Sequence, residues 1–168
     1  LMYFLREFTV YHQIPEFLTD LNLRSDLMWI RRLTSAHPGD TEAFVEALTN
    51  DNQIAYDKNF LTTKFNMFQF FTPGFYPISF FYLGMLTRQD DFFLKLPNLN
   101  LRQIFIEYFN EIHHIDVSTR YAEMMQSFVN QPNLEQLFAG YWREYVSQLP
   151  EAVFTRMNEN FYRITFYE

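Results

Sequence analysis

Three groups of residues have the types and spacing to do chemistry. His113-His114 with Asp116 offers two imidazoles and a carboxylate, a donor set suited to a divalent cation. Adjacent helical residues point to different sides, so one ion cannot easily take both histidines, and the pair reads as a solvated helix end. Asp90-Asp91 is a carboxylate pair of the kind general acid–base catalysis uses. Such a pair works in a cleft that separates the two pKa values; this one falls in a predicted turn and reads as solvated. No Gly-x-Ser-x-Gly element and no triad-like spacing singles out a nucleophile. With no cysteine in 168 residues, thiolate zinc sites, cysteine nucleophiles and disulfide scaffolds are excluded. Spacing alone thus assigns no catalytic residue, metal ligand, cofactor site or small-molecule substrate.

The bulk properties narrow the classes further. Thirteen Lys and Arg against twenty Asp and Glu give a net charge of −7, which disfavours unspecific nucleic-acid binding driven by phosphate contacts. Phe, Tyr and Trp make up 20 % of the chain. The longest apolar run, Phe75 to Leu86, contains Pro77 and Gly84 and is shorter than the roughly 20 residues a membrane span needs. No signal peptide is visible. The expectation is a compact, acidic, aromatic-rich cytoplasmic chain without a membrane partner. The apolar start at Leu1-Met2-Tyr3-Phe4-Leu5 has no cap, and the amphipathic end from Asn158 to Glu168 has no stop signal. Both point to a middle piece of a longer protein.

The elements that must position these groups follow from periodicity. Leu1 to His12 reads as a helix, and Leu23, Leu27, Ile30 and Leu33 form a second helical stripe that ends at His37-Pro38-Gly39. Thr41 to Leu48 is a helix with acids in its first turn. Phe60, Phe68 and Phe71 suggest a buried helix over Phe60 to Phe71. Phe75 to Leu83 is a short helix, with Pro77 near its start and Gly84 at its C-cap. The period then changes. Met85 to Thr87, a turn Arg88 to Asp91, and Phe92 to Leu96 read as an antiparallel hairpin at about 85–96. Asn98 or Asn100 caps the next helix, lined by Leu101, Ile104, Phe105, Tyr108 and Phe109. Helices around Thr119 to Val129, Asn133 to Ser147 and from Asn158 onward complete a mainly α fold.

Helix, hairpin and helix together outline a winged-helix-like module. In DNA-reading versions the helix before the wing carries cations or amides into the major groove. Tyr76 to Leu83 has neither. Arg88 and Lys95 on the wing, with Arg102 in the helix that follows, are the possible nucleic-acid contacts, and Asp90 and Asp91 offset them. DNA is therefore a disfavoured partner. Base stacking on the aromatics is disfavoured too, because their spacing is helical and no positive groove accompanies them.

The run Phe75-Tyr-Pro-Ile-Ser-Phe-Phe-Tyr-Leu-Gly-Met-Leu-Thr87, followed by Phe92-Phe-Leu-Lys-Leu-Pro-Asn98, resembles a known family. It is similar to the bacterial AAA-ATPase-like proteins that carry a C-terminal PD-(D/E)XK nuclease-superfamily domain. Asp20-Leu-Asn-Leu-Arg-Ser-Asp-Leu-Met-Trp29 resembles the segment after the ATPase core. Leu149-Pro-Glu-Ala-Val-Phe154 and Asn158-Glu-Asn-Phe-Tyr162 resemble the entry to the nuclease domain. The family's Gly-x-x-x-x-Gly-Lys-Ser/Thr loop and its metal-binding Asp and Glu-x-Lys are not in this chain. The resemblance therefore implies a middle region in three parts: 1–58 after the ATPase core, a winged-helix-like module at 59–115, and a helical linker at 116–168 into the first nuclease helix.

The implied role is a non-catalytic connector that couples the two flanking domains, its partners within the parent chain. ATP and Mg belong only to that parent. Glu159 matches the nuclease-helix carboxylate, with Glu168 second. A lone carboxylate cannot catalyse metal-assisted hydrolysis, and a capping or surface role suits Glu159 as well. The rival readings are a stand-alone helical protein-interaction module and a weakly DNA-binding winged helix.

Overall fold

The computed structural model describes residues 8–12, 28, 30–32, 35, 37–117 and 120–167. The fold is mainly helical with one small antiparallel sheet, as the sequence predicts. Of the two N-terminal helices expected, residues 8–11, 28 and 30–32 are helical and His12 follows as a bend; most of the remainder, and most of Asp20 to Trp29, lie outside the described residues.

Helix α1, Pro38–Asp51, begins with proline in its first turn, where the missing N–H costs nothing. It ends on Asn52 in the left-handed region (φ 55°), whose N–H bonds back to the Leu48 carbonyl. Phe44, Val45 and Leu48 form its buried stripe, and Ile30 joins the same core. Strand β1, Gln53–Ala55, follows at once. A π-type turn at Phe60–Lys64 and a 3-10 turn at Pro73–Phe75 lead into α2, Tyr76–Tyr82. Gly84 follows with φ 77°, the left-handed conformation expected at that C-cap.

Strands β2, Thr87–Arg88, and β3, Phe93–Lys95, make the expected hairpin. The turn is held by Asp90 Oδ1, which accepts from the N–H groups of Phe92 (2.7 Å) and Phe93 (2.8 Å). The hairpin has a third strand that the sequence reading lacks. β1 pairs antiparallel with β3, Ile54 opposite Leu94, so the order is β1-β3-β2. Three residues directly behind a helix carry no period of their own, and their partner lies some forty residues on, which is why the pattern is silent there. Leu94, at the centre of the sheet, is fully buried.

A second departure concerns Phe60 to Phe71. It is not a buried helix: Phe68 is 94 % exposed. Asn66 Oδ1 accepts from the Phe68 N–H (3.0 Å), and Gln69 Oε1 accepts from the Asn66 N–H (2.9 Å). These side-chain bonds compete with helical ones and fold the segment into successive turns.

Helix α3, Leu99–Ile112, is capped by Asn98 rather than Asn100, through a 2.9 Å bond from the Leu101 N–H. It packs on α1. Between them lies an aromatic core in which Phe80 of α2 sits 4.8 Å from Phe44 and 5.8 Å from Phe105 between ring centroids. Helices α4, Arg120–Asn130, and α5, Leu134–Glu144, pair with each other. A 3-10 turn at Val146–Gln148 and the short α6, Glu151–Phe154, which the periodicity does not reveal, precede α7, Glu159–Tyr167. One apolar cluster runs from Ile30 through Phe80 and Phe105 to Phe161, so the three expected segments share a core.

Candidate functional site

The residues singled out from sequence do not converge. Arg88 is tied to Asp91, whose other carboxylate oxygen accepts from Lys58 Nζ at 2.9 Å. Hydrogen bonds from both cations hold the Asp91 carboxyl below its ordinary range. Lys58 and Arg88 are thus balanced by Asp90 and Asp91, and the wing presents no excess positive charge. Lys95 is half-buried on the central strand, opposite Gln53 and Thr87. Arg102 is half-buried in α3, with its Nε enclosed and without a hydrogen-bond partner among the described residues. Glu159 is exposed in the first turn of α7, where a negative charge suits the helix dipole, and Glu168 lies outside the described residues.

His113 is not the solvated residue the sequence suggests. It is the C-cap of α3, and its ring lies 4.4 Å from that of Phe109, with the side chain only 5 % exposed. The chain reverses at His114 (φ 54°), which is exposed, as the opposite-sides argument requires. His113 Nε2 approaches Glu46 Oε1 at 3.5 Å, and Arg156 Nη2 approaches the same oxygen at 3.1 Å. Glu42, one helical turn before Glu46 on α1, completes the group. Donor atoms of Glu42, Glu46 and His113 all lie within 4.8 Å of one another, the one such grouping among the described residues. Burial raises the Glu46 pKa, opposed by Arg156 and assisted by Glu42. Burial lowers that of His113, opposed by Glu42. The signal in sequence was the i, i+4 pair Glu42 and Glu46; its partner lies in a different helix, at a position no spacing rule connects to it.

A second polar group lines a cleft of about 300 Å³ among Ile106, Asn110, Val117, Tyr121, Tyr145 and Thr165. Tyr145 OH donates to Asn110 Oδ1 at 2.6 Å, and Tyr141 OH and Thr165 Oγ1 share a 2.6 Å bond. The Tyr121 hydroxyl is enclosed without a hydrogen-bond partner among the described residues. Burial pushes the Tyr141 pKa up to about 12 and those of Tyr121 and Tyr145 further, so these phenols stay neutral donors and acceptors at physiological pH, not nucleophiles.

The third feature is apolar and exposed. On α5, Leu137 and Tyr141 face the core, while Leu134, Phe138 and Trp142 form a second stripe at i, i+4, i+8 that faces outward. Phe138 stacks on Phe166 of α7 at 5.1 Å, and Trp142 meets Phe154 of α6 edge-on at 5.8 Å. Phe154 in turn touches Tyr162 at 6.5 Å. The two groups of rings, Phe138 with Phe166 and Trp142 with Phe154 and Tyr162, lie one helical turn apart on α5 and α7 and together make an aromatic strip. Helix α4 buries no residue and shows Met125 and Val129 to the outside. No described helix is long and apolar enough to cross a membrane.

Comparison of the chain with protein-family models, with curated proteins and with solved structures gives no match, so the reading of its function rests on this geometry.

Proposed function

We propose that this chain is a non-catalytic connecting module of a larger ATPase–nuclease-like protein, and that the aromatic strip on α5, α6 and α7 seats the nuclease-like domain. The supporting observation is the pair of neighbouring ring groups left partly exposed on these helices, Phe138 with Phe166 and Trp142 with Phe154 and Tyr162. Monomers rarely leave a contiguous apolar patch larger than a few hundred Å² to water, and larger ones mark contact surfaces. Rigid aromatic side chains are also the commonest anchors of interfaces. Two of its rings, Phe154 and Tyr162, lie on the segments, Leu149 to Phe154 and Asn158 to Tyr162, that resemble the entry to the nuclease domain. The balanced charges of the wing favour protein over DNA as the contacted surface.

The test begins with the reading frame around this segment. The proposal requires a phosphate-binding Gly-Lys-Ser/Thr loop upstream and an Asp…Glu-x-Lys set downstream. In that full-length protein, Phe138→Ser with Trp142→Ser should leave ATP hydrolysis intact and uncouple it from nuclease activity. A frame without the two motif sets, or a double variant with unchanged coupling, sinks the proposal. The fully exposed ring of Phe68, on a loop braced by Asn66 and Gln69, favours a second reading. In it the chain is an interaction module whose partner is a separate protein.

A further inference from the structure

We propose that Glu42, Glu46 and His113 bind one first-row divalent cation of the zinc class, clipping α1 to the C-terminal end of α3. The donor set is one imidazole nitrogen and two carboxylates, with the carboxylates one turn apart on a single helix face. The spacing of His113 Nε2 and Glu46 Oε1, 3.5 Å, is close to the ~3.4 Å edge of a tetrahedron with metal–ligand bonds of about 2.1 Å. The widest separation in the group, 4.8 Å, closes by rotation of Glu42, a half-exposed side chain with free torsions.

Two further observations point to a missing ligand. The His113 side chain is almost wholly enclosed, and among the described residues its polar contact is the Glu46 carboxylate, at 3.5 Å. Among the described residues Glu42 has no ion-pair partner, and Glu46 makes both its ion-pair contacts through Oε1. With a neutral imidazole, the two carboxylates outnumber Arg156 by one negative charge, and Glu46 is enclosed. That is costly without a counter-ion. An imidazole with two carboxylates suits Zn²⁺ and its first-row neighbours; Ca²⁺ and Mg²⁺ require more oxygen ligands. Three protein ligands leave a fourth position for water.

Arg156 gives the proposal a distinctive signature, because its guanidinium competes with the ion for Glu46. Zinc chloride titrated into metal-stripped protein, followed by calorimetry and chelator competition, should show one ion per chain, with magnesium and calcium chloride giving none. Cobalt(II) should give the visible absorption of a tetrahedral site. Glu42→Gln, which removes a charge without removing a contact the fold uses, should weaken binding by about tenfold or more, as losses around metal sites do. His113→Gln should weaken it further. Arg156→Gln should strengthen it. Absence of stoichiometric zinc binding overturns the proposal, as does binding indifferent to Glu42→Gln and His113→Gln. Weaker binding in Arg156→Gln overturns the shared-oxygen geometry. Glu42→Gln keeps the test decisive if His113→Gln fails to fold.

Discussion

Two phenylalanines in one stretch of chain put the described packing to a quantitative test. Phe80 is fully buried between Phe44, Tyr76 and Phe105, whereas Phe68 stands almost wholly in solvent. The helical period of the sequence would bury both. A phenylalanine buries roughly 200 Å² when enclosed. At about 25 cal/mol per Å² that is about 5 kcal/mol of transfer free energy. Part of it remains with the alanine, and an unrelaxed cavity adds to the loss, so Phe80→Ala should cost ~3–5 kcal/mol. The same area scaled by the small buried fraction of Phe68 gives about 0.3 kcal/mol for Phe68→Ala. For a chain of this length each kcal/mol moves the melting temperature by roughly 2–4 °C. Phe80→Ala should therefore melt about 6–20 °C lower, and Phe68→Ala within about 1 °C of the parent. Urea unfolding monitored by circular dichroism measures both, with equal slopes confirming that stability alone has changed. A Phe68→Ala loss above about 1 kcal/mol would refute the turn structure of 65–72 and restore the buried helix.

Three other outcomes are expected. Ser79 is enclosed and donates to the Phe70 carbonyl at 2.8 Å, so Ser79→Ala strands a buried acceptor and should cost about 1–3 kcal/mol in a urea titration. The lowered pKa of His113 means that the folded state resists its protonation. In the metal-free protein its contribution to stability is therefore present above the unfolded value of about 6.5 and is lost as pH falls from there through the lowered folded value. Glu46, with its raised pKa, works the other way between about 4.5 and its folded value, favouring the fold as it is protonated. Melting curves across pH should thus lose an acid-side decline in His113→Gln; an unchanged decline would remove His113 as its source. The aromatic strip should bind the dye ANS, and Phe138→Ser with Trp142→Ser should remove most of that fluorescence without shifting the urea slope. Undiminished fluorescence would place the exposed apolar surface elsewhere.

What the sequence made legible is what local chemistry decides. Pro77, Gly84 and Asn98 each satisfy a helix-end or turn requirement with their own atoms, and the structure uses them so, whereas Pro38, read as the end of the preceding helix, opens α1. Apolar stripes at helical spacing located the helices. What stayed hidden was non-local. β1 is specified by its register with β3, some forty residues away. The exposure of Phe68 follows from two side-chain bonds that a hydrophobicity pattern does not register. The outward stripe Leu134, Phe138, Trp142 reads as core in sequence, because a second apolar face on a helix looks like burial until its surroundings are known. His113 shows the same limit in reverse: its position at a helix end suggests solvent, and only the packing of α1 on α3 encloses it.

The Asn158-Glu159-Asn160 segment, where the family resemblance would place a nuclease carboxylate, has a complete structural account of a different kind. Asn158 caps α7: its Oδ1 accepts from the Phe161 N–H at 3.1 Å. Its own N–H and amide donate to Asn50 Oδ1 and Asp51 Oδ1, each at 2.9 Å. Asn160 Nδ2 donates to the Asn50 carbonyl at 2.8 Å, and Asn50 Nδ2 donates to the Arg156 carbonyl at 3.2 Å. These bonds fasten the start of α7 and the turn before it to the C-terminal turn of α1, whose last carbonyls would otherwise lack partners. Both asparagines bond across that seam, Asn160 half-buried and Asn158 at its exposed edge, and Glu159 between them faces water, in the turn where its charge meets the helix dipole. A carboxylate so placed has no converging ligand among the described residues. On this geometry Glu159→Gln costs only the dipole interaction, about 0.3–1 kcal/mol at low salt, whereas Asn158→Ala breaks the cap and the seam together and should cost more than 1 kcal/mol. Equal losses in thermal melts of the two variants would remove the seam as the reason for the motif.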